Sequence, residues 1–241
     1  ISVAKGTLRL SGSVNLSSTT TVNVASGAIF DSRYKDNSFG GLSGAGQVWL
    51  DNKTLRVLNN DNTTFSGVIS GTGGSLQKLG NGTMTLSGSN TFTGLTTVSS
   101  GTIKIGRNNA LVGGLVVDGG NFDLGTSSVN VSSVKLLSGN INGSGKLTTT
   151  DANFDLRSGT VRAELSGTAR LTKSGSGTVY LNNTGNSYTR GTLVQQGTLV
   201  FNGSSTSVDN SGVSISNNAR LLVNGNNTIR YLNSADGSSG N

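Results

Sequence analysis

The chain has 241 residues, of which 32% are hydrophobic, 5% aromatic and 12% charged, and it carries a formal net charge of +7. It contains 37 glycines but no proline, cysteine or histidine. These absences exclude disulfides, catalytic sites of the Ser-His-Asp or Cys-His type, and the usual zinc sites. No apolar run approaches the ~20 residues that a membrane-spanning helix needs, so we predict that the chain does not span a membrane.

Short strand patterns begin at residue 14 and continue, with one interruption, to residue 60. Residues 14–30 predict two strands, and residues 42–60 resume the pattern with apolar residues at alternate positions. The interruption is the polar stretch DSRYKDNSFGG at residues 31–41, which predicts a loop.

This loop carries Arg33, Tyr34 and Lys35 in succession. Tyrosine and arginine are favoured contact residues in recognition surfaces, and loops often carry the binding residues of a regular scaffold. We therefore predict that these three residues contact a partner. The alternative is a solvated connection without a binding role.

Two long segments, residues 65–106 and 161–203, are copies of one repeat unit. Leu76, Lys78 and Leu86 of the first recur at the same spacing as Leu171, Lys173 and Leu181 of the second. A partial copy, VAKGTLRL, lies within residues 1–10 and matches VSSGTIKI at residues 98–105. Repetition of this kind predicts a stacked array rather than a globule with one site.

Each repeat unit consists of short runs of alternating apolar and polar residues separated by glycine, asparagine and serine. Such runs predict strands with one buried face, joined by tight turns. We predict an all-β, single-stranded parallel β-helix, or β-solenoid, that spans residues 1–241 as one domain. We expect the full period from one copy to the next, such as from Leu76 to Leu171, to hold four coils of roughly 24 residues, with about ten coils in the whole chain, stacked ~4.8 Å apart. Asparagines at the turns are expected to form ladders along the stack.

Single basic residues recur at matching places in the repeats. Arg9 matches Lys104, and Lys78 matches Lys173. We interpret these four residues as a sparse outward stripe that could contact an acidic glycan of the heparan sulfate kind. The alternative is that these charges keep the protein soluble and protect strand edges. Nucleic-acid platforms typically contain clusters rich in arginine and aromatic residues. The sequence shows no such cluster, so we expect no specific nucleic-acid partner.

The spacing of the acidic residues does not favour a hydrolytic carboxylate pair. Asp151 and Asp155 are predicted to lie on one outward face about 13 Å apart, which is wider than the ~5–9.5 Å that glycoside hydrolysis requires. We instead expect Asp155 to lie near Arg157. No metal-binding or cofactor-binding motif is found, so we predict a non-enzymatic protein without cofactors.

Residues 65–106 resemble the autotransporter-associated β-strand repeat of passenger domains in bacterial type V secretion. The resemblance rests on KLGNGTMTL (78–86), SGSNTFTG (87–94) and VSSGTIKI (98–105). Residues 161–203 follow the same pattern with departures, among them Arg190 in place of the glycine of the T-G step.

The resemblance implies a right-handed β-helix on the outer-membrane surface of a Gram-negative bacterium, or secreted from it. It also implies a C-terminal β-barrel translocator outside these residues, and thus a fragment of a longer passenger. The leading functional hypothesis is adhesion or another virulence-type interaction with a host cell-surface receptor. One alternative is a spacer, stalk or fibre that associates with itself end to end or laterally. A second alternative is a secreted ligand or toxin that acts on a host receptor.

Overall fold

The computed structural model describes residues 1–10, 15–58, 60–183, 185–202, 212–216, 218–225, 227, 229 and 231–234. These described residues form 29 strands and no helix. The strands are, in chain order, β1 (Ser2–Val3), β2 (Thr7–Arg9), β3 (Thr21–Val24), β4 (Ile29–Asp31), β5 (Asn37–Phe39), β6 (Gly41–Gly44), β7 (Gln47–Trp49), β8 (Thr54–Val57), β9 (Thr63–Phe65), β10 (Val68–Ser70), β11 (Ser75–Lys78), β12 (Thr83–Leu86), β13 (Leu95–Val98), β14 (Thr102–Ile105), β15 (Gly114–Asp123), β16 (Val129–Val131), β17 (Val134–Asn142), β18 (Lys146–Thr149), β19 (Asn153–Leu156), β20 (Gly159–Val161), β21 (Glu164–Gly167), β22 (Arg170–Lys173), β23 (Thr178–Leu181), β24 (Ser187–Tyr188), β25 (Thr192–Val194), β26 (Thr198–Phe201), β27 (Val213–Ile215), β28 (Arg220–Val223) and β29 (Leu232–Ser234).

The strands stack in three parallel ladders, which we name A, B and C. Ladder A contains β1, β3, β6, β9, β12, β14, the C-terminal parts of β15 and β17, then β20, β23, β26 and β28. Ladder B contains β5, β8, β11, β13, the N-terminal parts of β15 and β17, then β19, β22, β25, β27 and β29. Ladder C has two pieces, β2-β4-β7-β10 and β16-β18-β21-β24. The predicted parallel β-solenoid is therefore confirmed, and its right-handed winding stays a prediction.

The coils are shorter than predicted. Ser2 pairs with Asn23 and Leu76 with Thr96, so one turn takes about 20 residues instead of roughly 24. Successive pairs lead from Leu76 to Leu171 in five steps, through Thr96, Leu115, Val134 and Phe154. The period from Leu76 to Leu171 thus holds five coils rather than four, and the solenoid makes about 11 turns rather than ten. The reason is that many turns between strands take only a few residues.

The core is a narrow column of apolar side chains inside the coils. In β12, Met84 and Leu86 are buried while Thr83 and Thr85, which alternate with them, are partly exposed. Met84, Ile103, Phe122 and Ile141 are register partners in successive coils of ladder A, and all four are fully buried. Every coil therefore buries its apolar residues against those of the coils above and below it.

Asparagine side chains reinforce the stack, as predicted. Asn202 donates to Asn182 over 3.0 Å, and Asn224 donates to Asn202 over 2.8 Å. Asn202, in the middle, both donates and accepts along the axis, so three coils share one polar ladder.

Buried Asn90 lies where ladder C is interrupted, between β10 and β16. Its Oδ1 accepts the N–H of Ile69 over 2.9 Å, and its Nδ2 donates to the carbonyl of Ala110 over 2.8 Å. The side chain therefore links the coil before it to the coil after it, in place of a strand. Asn186 makes the first of these two links in the second repeat unit, where its Oδ1 accepts the N–H of Leu165 over 3.0 Å, while its Nδ2 donates to Asn183 in the same coil.

One corner of the solenoid is built from stacked glycines. A Cβ placed on Gly67 would lie 1.9 Å from the carbonyl oxygen of Gly46, and one on Gly88 would lie 1.6 Å from that of Gly67. No side chain fits between backbones this close, so Gly46, Gly67 and Gly88 fix the spacing of the coils at this corner.

Candidate functional site

A buried carboxylate organises the surface around residues 31–35. The side chain of Asp31 is fully buried, and its oxygens lie 2.8 Å from Nη2 of Arg9 and 2.9 Å from Nε of Arg33. Arg33 also donates to Asp31 from Nη2 over 3.1 Å and from its backbone N–H over 3.2 Å. One carboxylate thus fixes two guanidinium groups, of which Arg9 is 47% exposed and Arg33 32%.

Two aromatic rings stack against these guanidinium groups. The guanidinium carbon of Arg9 lies 4.4 Å from the centre of the Tyr34 ring, and that of Arg33 lies 4.7 Å from the centre of the Trp49 ring. Arg33 also lies 5.9 Å from the Tyr34 ring. Contacts of this kind orient each cation over the face of a ring. We call Arg9, Asp31, Arg33, Tyr34 and Trp49 the Arg–aromatic cluster.

The parallel register of ladder C brings the cluster together. Arg9 pairs with Asp31, and Asp31 pairs with Trp49, so the three residues lie side by side on β2, β4 and β7. Arg33 and Tyr34 follow in the turn after β4. The cluster therefore joins residues that are distant in sequence but one coil apart in space.

The electrostatics of the cluster follow from this geometry. Hydrogen bonds from Arg33, with a smaller contribution from Arg9, lower the pKa of Asp31 to about 2, although burial opposes the shift. The carboxylate in turn raises the pKa of Arg33 above its usual value. The cluster therefore holds two positive charges and one negative charge at neutral pH, with the negative charge hidden beneath the surface.

The predicted loop at residues 31–41 is largely wrong. Asp31 ends β4, residues 37–39 form β5, and residue 41 begins β6, so only residues 32–36 form a turn. Of the predicted contact residues, Arg33 and Tyr34 belong to the Arg–aromatic cluster, and Tyr34 is 62% exposed. Lys35 is directed elsewhere, because its Nζ donates to Oδ1 of Asn15 over 3.1 Å.

The predicted equivalence of Arg9 and Lys104 is also wrong. Arg9 lies on β2 in ladder C, whereas Lys104 lies on β14 in ladder A, between Thr85 and Asp123. The two segments share a strand-turn-strand pattern, but they occupy different corners of the solenoid. Arg9 and Lys104 are thus both on the surface but do not form one stripe.

Lys78 and Lys173 do not lie on the outer surface at all, contrary to the prediction. Both side chains are fully buried inside the solenoid. Nζ of Lys173 donates to the carbonyls of Ser174, Gly175 and Gln196 over 2.8, 2.7 and 2.9 Å, and Nζ of Lys78 donates to the carbonyl of Gly80. The aliphatic stems join the apolar column, while the ammonium groups bind the turn that follows the strand.

The acidic residues conform to the expectation only in part. Arg157 pairs with Asp155 over 3.1 Å, as predicted. Asp151 lies in the bend before β19 and is not part of that strand. Within the ranges that the structure describes, no three acidic side chains come together as a metal site would require.

Two segments, residues 76–105 and 171–201, match the model of the passenger-associated-transport-repeat family. The chain carries two passenger-associated-transport repeats. They begin at Leu76 and Leu171, the positions that are five coils apart in ladder B. The repeats and the β-solenoid together fit an autotransporter passenger, and the repeat family indicates a Gram-negative surface or secreted protein.

The other comparisons add no relative, because no curated protein and no solved structure matched the chain. None of the described segments forms a helix long and apolar enough to span a membrane. The match to the repeat family covers residues 76–105 and 171–201 rather than the whole chain.

Proposed function

We propose that this protein is an extracellular, non-enzymatic passenger that binds a host-cell surface through the Arg–aromatic cluster. The observation that carries the proposal is the exposure of Tyr34 between two guanidinium groups held in place by the buried Asp31. Tyrosine and arginine are the residue types that contribute most to binding at interfaces.

The rigidity of the cluster supports a binding role. Side chains that are already ordered lose less entropy when a partner binds. In the described part of the chain, all cation–π contacts lie within the Arg–aromatic cluster. The cluster is therefore a prearranged patch on an otherwise regular surface, which suits a receptor or an acidic glycan on the host cell.

The test is binding of the purified chain to animal cells, measured over a range of salt concentrations. Tyr34→Ala removes the exposed ring and should weaken saturable binding by at least about tenfold. Tyr180→Ala is the matched control, because Tyr180 is 42% exposed on β23 in ladder A, away from the cluster. Equal binding by the two variants would overturn the proposal, as would binding that disappears just above physiological salt.

A second candidate function, a spacer or stalk, is favoured by the continuity of ladder A. Its pairing runs from β1 to β28 without a gap, and a parallel stack of this kind makes a rod about 50 Å long. If the unaltered chain shows no saturable binding to any cell type, the spacer function replaces adhesion.

A further inference from the structure

The outer face of ladder B carries a second basic patch, far from the Arg–aromatic cluster. Three adjacent depressions, of about 490, 450 and 70 Å³, are all lined by Arg170 of β22. Arg190, in the turn before β25, lines the two smaller ones. Arg170 and Arg190 lie one coil apart, since Nε of Arg170 donates to the carbonyl of Arg190 over 3.4 Å.

Within the described residues, no acidic side chain neutralises the charges of these two arginines. Both side chains are exposed, and neither forms an ion pair with any described residue. The largest depression extends from Arg170 to Arg157, whose charge is balanced by Asp155 at 3.1 Å. The groove is therefore strongly positive at the Arg170 end and nearly neutral at the other end.

The first repeat unit shows that the coil does not need these arginines. Ser75 takes the place of Arg170 there, and Gly94 takes the place of Arg190. A Cβ on Gly94 would lie 2.4 Å from the carbonyl oxygen of Gly74, so that coil excludes a side chain. Arg190 keeps the corresponding backbone bond, from its N–H to the carbonyl of Ala169 over 3.3 Å. The two arginines are thus an addition to the repeat, and the same fold is built without them.

The chemistry of the groove indicates the ligand. Exposed guanidinium groups bind carboxylates with two parallel hydrogen bonds. Beyond Arg170 the groove presents Asn153, Thr172 and Gln195, which both donate and accept hydrogen bonds, as sugar hydroxyls require. Because Asp155 and Arg157 balance each other in the same groove, that end offers no net positive charge to a ligand that carries negative charge along its whole length.

We infer that this groove binds an oligosaccharide whose terminal sugar carries a carboxylate, with that carboxylate on Arg170 and Arg190 and neutral sugars along the groove. The groove is separate from the Arg–aromatic cluster. β5 follows Tyr34 of the cluster, and β22 carries Arg170 of the groove. Ladder B takes seven steps from β5 to β22, so the two strands are about 34 Å apart along the stack. The inference does not depend on the proposed host-cell binding by the cluster.

Calorimetric titration of the full chain with defined sugars tests the inference. Sialyllactose and cellobiouronic acid are the carboxylated probes, lactose and cellobiose are their neutral counterparts, and a heparin hexasaccharide is the polyanionic comparison. We expect at least one carboxylated probe to bind about tenfold or more tightly than its neutral counterpart. Failure of both carboxylated probes to bind, or equal binding of the neutral sugars, would overturn the inference. Tight binding of heparin alone would also overturn it and would indicate a polyanion surface.

Two variants locate the site. Arg190→Gly restores the residue type of the first repeat unit, and Arg170→Gln removes the second charge while keeping hydrogen-bonding groups. Each should weaken binding of the carboxylated probe by about tenfold or more. Lys104→Gln, which removes an exposed positive charge from ladder A, is the matched control and should leave binding unchanged. Circular dichroism melts of all three variants establish that they are folded, and equal affinities across them would contradict the site.

Discussion

Lys78 and Lys173 occupy the same place in two coils that are five turns apart, and both point into the solenoid rather than out of it. Each follows a buried leucine by two residues, and each ammonium group binds carbonyls of the turn that follows its strand. The repeat thus places a lysine in the apolar column. Hydrogen bonds from its ammonium group to backbone carbonyls offset part of the free-energy cost of removing that charge from water.

This burial has a consequence for the pH dependence of stability. Burial lowers the pKa of Lys78 from 10.5 to about 8. Burial also lowers the pKa of Lys173. Between pH 8 and 10.5 the unfolded chain holds more protons on Lys78 than the folded chain does. The free energy of unfolding should therefore rise with pH in this window, by roughly 1–3 kcal/mol for one such group.

Urea unfolding between pH 7.5 and 10 measures this slope. Lys78→Met fills the same column without a charge, so the slope should become smaller. Lys104→Met, at an exposed position, should keep the slope of the unaltered chain. An unchanged slope in Lys78→Met would show that the ammonium group is more hydrated than the structure indicates.

Asp31 should make the protein sensitive to acid. Its pKa is lowered to about 2, so its contribution is present above pH 4 and is lost as the pH falls through 2. Asp31→Asn should reduce the free energy of unfolding at pH 7 by about 2 kcal/mol and flatten the profile between pH 4 and 2. Thermal melts over this range measure the effect.

The control for the acid effect is Glu164→Gln. Glu164 pairs with Lys146 over 3.2 Å, but Lys146 is 56% exposed. Exposed pairs contribute at most about 1 kcal/mol, so this variant should remain close to the unaltered chain. Equal losses in the two variants would mean that burial of Asp31 has no special effect.

Asn90→Ala should destabilise the solenoid where ladder C is interrupted. The change leaves the N–H of Ile69 and the carbonyl of Ala110 without their partner inside the protein. Unsatisfied buried groups of this kind cost about 1–3 kcal/mol each, so we expect a total loss of about 2–4 kcal/mol. Asn182→Ala, which removes one rung of an exposed ladder, should cost less than about 1 kcal/mol by the same measurement. A loss below that of Asn182→Ala would contradict the bridging role.

Gly88→Ala should be among the most damaging single changes. The added methyl group would meet the carbonyl oxygen of Gly67 at 1.6 Å, so two backbones would have to separate. We expect a loss of at least about 3 kcal/mol, seen as a lower urea midpoint. Gly185→Ala has no atom within 4 Å of the new methyl group and should change stability by less than about 0.5 kcal/mol. A mild Gly88→Ala would mean that the coils at this corner separate easily.

The alternation of apolar and polar residues was sufficient to predict the fold. Met84 and Leu86 point inward, as the pattern around them indicates, and the asparagine ladder at Asn182 and Asn202 follows from the repeat composition. The same alternation places Lys78 on the same face of its strand as Leu76, which is the buried face. Lysines are mostly exposed in proteins, but Lys78 and Lys173 lie on the buried side of the alternation, so the predicted outward stripe is wrong.

The Arg–aromatic cluster could not be assembled from the sequence. Arg9, Asp31 and Trp49 meet only because β2, β4 and β7 stack in register, and that register depends on coil lengths that vary from turn to turn. Phe154 and Leu171 are 17 residues apart, for example, whereas Leu171 and Thr192 are 21 residues apart. A pattern that fixes the average period does not fix which side chains become neighbours.

The five-coil repeat makes the length of this protein adjustable in whole units. Leu76 and Leu171 occupy the same place in ladder B, so duplication or loss of the segment between them would keep the ladders in register. Each such event would move whatever the chain carries at its ends by about 24 Å. Selection could therefore tune the reach of this rod while the register of its strands stays the same.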